Sequence, residues 1–161
     1  MSLTKLLPFL KFLESEADFG FDVTRFEHRL MLQKYVYIAK FLGLQVGYSP
    51  TIYLRGPYSP SLAQDYYKIA KSKLVFGGDY KKELGGFKAK KFLELIGGKG
   101  AEWLEVAGTI LSLYQRYKGK YLGDKLEKSI LSTTCDIKSF LPEERISKVF
   151  ADLRRAGMII I

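Results

Sequence analysis

One histidine and one cysteine limit the chemistry open to this sequence. His28 stands between Glu27 and Arg29 in a helical stretch. A glutamate beside a histidine is in principle an acid–base pair, but neither its spacing nor a known signature sets it apart from a helix-surface histidine. A zinc site built on His and Cys needs further ligands, and one of each does not supply them. Cys135 has no histidine in a recognisable nucleophile arrangement, and no Gly-x-Ser-x-Gly elbow occurs. Gly97-Gly98-Lys99-Gly100 has the composition of a phosphate loop. A Walker A loop, however, continues from Lys to Ser or Thr, and here Gly100 follows. It reads as an interhelical turn. Glu143 and Glu144 open a helix, where carboxylates favour the macrodipole. The expectation is a protein that is not an enzyme and has no cofactor or metal site. A small hydrolase or nuclease would have to rest on Glu27, His28 or an acidic cluster.

The binding chemistry is richer. Lysine and arginine total 26 against 17 acids, a net charge of +9. Six of those nine charges fall between residues 68 and 91, where Lys68, Lys71, Lys73, Lys81, Lys82, Lys88, Lys90 and Lys91 face only Asp79 and Glu83. Such an excess favours a polyanionic partner, either nucleic acid or an acidic protein surface. Seven of the 11 tyrosines lie between residues 35 and 67. They read either as a core whose hydroxyls reach backbone and water or as a partner-binding surface, because tyrosine gives wide contact at low entropic cost.

These residues need elements to position them. Leu6, Leu7, Phe9, Leu10 and Leu13 give residues 3–15 an apolar helical stripe, with Pro8 in the first turn or at a kink. Asp22 or Thr24 is the expected N-cap of a central helix running to Leu42, with Gly43 as its stop. Thr51 to Leu54 reads as a short strand. Ser59-Pro60 starts a helix to about Ser72 that buries Leu62, Tyr66 and Ile69. Residues 73–91 read as a lysine-bearing loop or hairpin hinged at Gly77-Gly78 and Gly85-Gly86. Helices follow at about 87–96, 101–118 and 123–132. The last runs from Pro142 to Arg155, stopped by Gly157, with Met158 to Ile161 as a terminal strand. The stretch 101–161 has the rhythm of a winged helix, but its third helix opens on Glu143-Glu144-Arg145, which would repel phosphate.

With 161 residues, 47% hydrophobic and 27% charged, the chain has the composition of one globular, mostly α-helical domain with one or two short strands. No apolar run is long enough for a membrane span or a signal peptide, and a lone cysteine suits a reducing cytoplasm. Asn is absent and Gln occurs four times, a bias seen in heat-adapted proteins.

Leu32-Gln33-Lys34-Tyr35-Val36-Tyr37-Ile38-Ala39, followed by Tyr53-Leu54-Arg55-Gly56-Pro57-Tyr58-Ser59-Pro60-Ser61-Leu62, resembles the YwgA-like family and the broader Panacea-type (SocA-like) antitoxin domains. The resemblance covers residues 25–72 and implies an adaptor or antitoxin that binds a protein, such as a toxin, without catalytic residues. Arg55 and Tyr58-Ser59 depart from the Panacea pattern around the Gly-Pro. In this sequence Gly56 frees the backbone, Pro57 fixes φ, and Gln33 is the expected buried polar tie. The expected partner surface is therefore Tyr48, Tyr53, Arg55, Tyr58, Tyr66 and Tyr67. A nucleic-acid alternative would use Lys71, Lys73, Lys81, Lys82, Lys88, Lys90 and Lys91.

Overall fold

A computed structural model describes residues 2–53 and 55–161, excluding the side chains of Ser2 and Tyr53. The expected strand position of Leu54 and the side chain of Tyr53 thus lie outside the described residues. The fold is mostly helical. Its elements are α1 (Ser2–Glu16), α2 (Phe26–Phe41), β1 (Thr51–Tyr53), β2 (Gly56–Tyr58), α3 (Pro60–Ser72), α4 (Tyr80–Glu83), α5 (Ala89–Ile96), α6 (Ala101–Tyr117), α7 (Gly123–Ile137) and α8 (Glu143–Arg155). β1 and β2 pair in a two-stranded sheet. The chain divides into two units, residues 1–51 with 58–98, and residues 52–57 with 99–161.

In the first unit, α1 is apolar on more than one side. Leu6, Phe9, Phe12 and Leu13 are fully buried, while Leu7 and Leu10 are only half-buried. Pro8 sits in the second turn rather than the first. The rings of Phe9, Phe12, Phe87 and Phe92 meet at centroid distances of 5.4–6.1 Å, and offset and edge-on contacts of this kind suit aromatic quadrupoles. The region expected to be a hinged loop or hairpin is therefore fixed. Asp79 caps α4 through its carboxylate on the Lys81 and Lys82 amides. Leu84 and Phe87 are buried on either side of Gly85-Gly86.

Three helices end alike. A residue in the left-handed region follows each, and two N–H groups return to the last turn. The residues are Gly43 (φ +96°), Lys73 (φ +52°) and Gly157 (φ +75°). The returning bonds are Leu44 to Ala39 and Gly43 to Lys40, Leu74 to Ile69 and Lys73 to Ala70, and Met158 to Leu153 and Gly157 to Arg154. This pattern satisfies carbonyls that the helix leaves open. At Gly43 no side chain fits for a second reason, because a Cβ would stand 2.5 Å from the Gly86 carbonyl oxygen. Lys73 holds the same conformation with a side chain, at a cost of roughly 1 kcal/mol.

The second unit rests on α6, α7 and α8, which all touch one another. Leu104, Ala107, Ile110 and Leu111 of α6 meet Leu126 and Ile130 of α7 and Ile146, Phe150 and Leu153 of α8 in its core. α7 runs past the expected end at 132 to Ile137, carrying Thr134 into the core with its hydroxyl donating to the Ile130 carbonyl. The expected strand at Met158 to Ile161 is absent. Met158 and Ile159 are buried, and the Ile160 amide donates to the Tyr114 hydroxyl at 3.3 Å. A strand needs an edge to pair with, and burial of side chains does not substitute for one.

Candidate binding groove

The expected tyrosine surface separates into scaffold and surface. Gln33 is buried on α2, and its side chain closes a two-bond clasp on Ser59. Its Nε2 donates to the Ser59 carbonyl at 3.0 Å, and its Oε1 accepts from the Ser59 amide at 2.8 Å. Ser59 in turn caps α3, its Oγ accepting from the Leu62 amide at 3.2 Å. Lys40 donates to the Tyr48 carbonyl, and the Tyr48 hydroxyl donates to Asp65 at 2.6 Å. Tyr48 and Tyr66 are only 1% and 2% exposed. Burial, followed by the hydrogen bond to Asp65, holds the Tyr48 hydroxyl far above its ordinary pKa. Burial likewise pushes Tyr66 up to about 12. Both rings are packed into the core of the first unit, and Tyr66 also lines a groove of that unit. Tyr58 is half-buried, and Tyr67 is 50% exposed. Arg55 lies in the second unit, its guanidinium 3.4 Å from the Glu105 carboxylate.

Sequence reasoning missed the concavity. The outer side of α1 (Leu7, Leu10), the connector (Phe21, Val23), the end of α3 (Tyr66, Ile69, Ala70) and Leu74-Val75-Phe76 enclose a groove of about 460 Å³. Its floor is apolar. Its polar lining consists of the Lys11–Glu14 ion pair at 3.3 Å, Asp22 and Lys73. Val75 is 83% exposed beside it, and Leu74 is 38% exposed. The sequence signal was the surplus of leucines on α1, too many for one buried stripe.

Of the expected nucleic-acid lysines, only Lys73 lines this groove. Lys71, with Lys68, lies on the exposed side of α3. Lys81 and Lys82 are exposed on α4, and Lys88, Lys90 and half-buried Lys91 open α5. None of the eight forms an ion pair among the described residues.

His28 has a structural use. Its Nδ1 accepts the Asp22 amide at 3.0 Å, and its ring lies 4.6 Å from that of Phe19. Burial and then the Arg25 charge hold its pKa below the ordinary value of 6.5. The unfolded chain therefore takes up the proton first as pH falls. Stability conferred by neutral His28 is complete above about pH 6.5 and drains away as pH drops from there through the lower folded-state value. Urea midpoints at acidic and neutral pH should differ less in His28→Gln than in the parent, and an unchanged difference would refute this role. Burial and then the charge of Glu143 push the Cys135 thiol up, away from the reactive thiolate. Among the described residues, no group of three or more His, Cys, Asp or Glu side chains is placed to hold a metal ion, and no helix is long and apolar enough to cross a membrane.

No protein-family model, curated protein or solved structure matches the chain.

Proposed function

We propose that this chain is a non-enzymatic binding protein whose first unit takes an acidic, amphipathic segment of a protein partner. The observation that carries this reading is an apolar groove beside Lys68, Lys71 and Lys73, none of which forms an ion pair among the described residues. Apolar side chains of the partner would fill the space between Leu7, Leu10, Ile69 and Phe76, and its carboxylates would meet Lys73, Lys71 and Lys68. Lys73 supports the reading on its own account. It keeps a side chain at a joint where glycine would relieve strain, and backbone strain tends to gather at functional sites. The likeness of residues 32–39 and 53–62 to Panacea-type antitoxin domains also favours a protein partner, with a toxin as the particular form.

The test uses a fluorescent peptide of about 14 residues, long enough for a marginal helix, with leucines at helical spacing and glutamates elsewhere. Binding is expected to weaken at least tenfold for Val75→Asp and several-fold for Lys73→Gly, while Lys73→Gly unfolds at a higher temperature. Equal binding by a scrambled peptide of the same composition, or by Val75→Asp, would remove the groove from the account. The unpaired lysines favour one rival, direct contact with nucleic-acid phosphates. In that case duplex or single-stranded oligonucleotide binds more tightly than the peptide. Its affinity then falls steeply with salt, and joint replacement of Lys81, Lys82, Lys90 and Lys91 by alanine flattens the slope.

A further inference from the structure

The second unit holds a separate cleft of about 370 Å³, lined by Tyr117, Tyr121, Lys128, Ser129, Ser132 and Thr133. Every lining side chain ends in a hydroxyl or an ammonium, and none in a carboxylate. Ser129, Ser132 and Thr133 stand at i, i+3 and i+4 on α7, so they share one face. Serine and threonine weaken a helix interior, because their hydroxyls compete for backbone groups. Thr134 and Thr133 have structural uses. Thr134 donates to the Ile130 carbonyl, and Thr133 meets the Tyr117 hydroxyl at 3.2 Å. Ser129 and Ser132 make no such bond among the described residues.

We propose that this cleft binds a small phosphorylated polyol of the sugar-phosphate class. Hydroxyls both donate and accept, which suits a polyol. The Lys128 ammonium supplies the charge-assisted bond that a phosphate needs. Lys118, Lys120 and Lys125 are exposed nearby and outnumber Asp124 and Glu127, of which Glu127 pairs with Arg154 at 3.1 Å. The cleft is shallow and open, so the ligand would be held along one polar face. A single nucleic-acid strand fits less well, because strands stack bases on free aromatic faces. Here the Lys125 ammonium covers the Tyr121 ring at 5.3 Å, and Tyr117 meets that ring edge-on at 5.7 Å.

The experiment is an amide-resolved NMR titration of the full chain at fixed ionic strength, using a hexose monophosphate, the free hexose, inorganic phosphate and a short oligonucleotide. Saturating shifts confined to residues 117–133 are expected with the hexose monophosphate. Affinity should fall at least tenfold for the free hexose and for Lys128→Ala, and several-fold for Ser132→Ala. Ser132→Ala substitutes a better helix former, so a loss there cannot come from unfolding. Three results overturn the proposal: no saturation at 117–133, equal response to inorganic phosphate with Lys128→Ala unaffected, or tighter binding of the oligonucleotide at the same residues. The groove of the first unit plays no part in these readouts.

Discussion

Glu105→Gln is expected to destabilise the protein by about 3–5 kcal/mol, the usual cost of removing one partner from a buried ion pair. Lys138 follows α7 and is fully buried, with its ammonium 3.6 Å from Glu105 Oε2. Burial lowers the pKa of Lys138, and the Glu105 charge opposes that fall. Glutamine keeps the shape but removes the charge that faces the ammonium. The sign of the pH dependence follows. A lysine whose folded-state pKa is depressed costs stability at neutral pH, and the cost shrinks as pH rises from that value toward 10.5. The deficit of Glu105→Gln should therefore narrow between neutral pH and about pH 9.5 in guanidinium unfolding. The double variant Glu105→Leu with Lys138→Met should recover most of the loss, since an apolar pair often replaces a buried ionic one without penalty. A Glu105→Gln loss under 1 kcal/mol, or one that ignores pH, would show that water reaches Lys138 in solution.

The second large effect belongs to Gln33. Replacing it with leucine strips the acceptor from the buried Ser59 amide, while the Ser59 carbonyl keeps only the Ala63 amide at 3.2 Å. One unpaired buried donor costs roughly 1–3 kcal/mol. Hydrogen exchange should accelerate first at residues 59–62, where the clasp and the α3 cap meet. Gln33→Glu should also lose stability at neutral pH, because its second oxygen takes the place of Nε2 and faces the Ser59 carbonyl with no hydrogen to donate. If leucine is tolerated with unchanged exchange at those amides, the clasp does not hold the start of α3.

What could be read in advance was local. Ser59-Pro60, Gly43 and Gly157 mark helix ends because capping is decided within a few residues. Gln33 was legible as a tie because an amide in an apolar helical stretch must find partners. The direction of the tyrosines was not legible. A phenol is equally at home in the core or at an interface, and only tertiary packing turns Tyr66 inward and Tyr67 outward. Two lysines, Lys34 and Lys138, are buried, and nothing in their neighbourhoods announces it. Asp79 did carry a cap signal for α4, masked by the glycines before it. The groove escaped notice because it needs α1, α3 and two connectors at once, and no single segment encodes a concavity.

The left-handed lysine at the end of α3 sets two evolutionary pressures against each other. A population selected only for heat resistance should drift to glycine at position 73, since the simpler residue relaxes the joint. A population selected for capture of its partner should retain the ammonium and tolerate the lower melting point. Competing the two regimes in one mutant library would reveal which demand this joint answers.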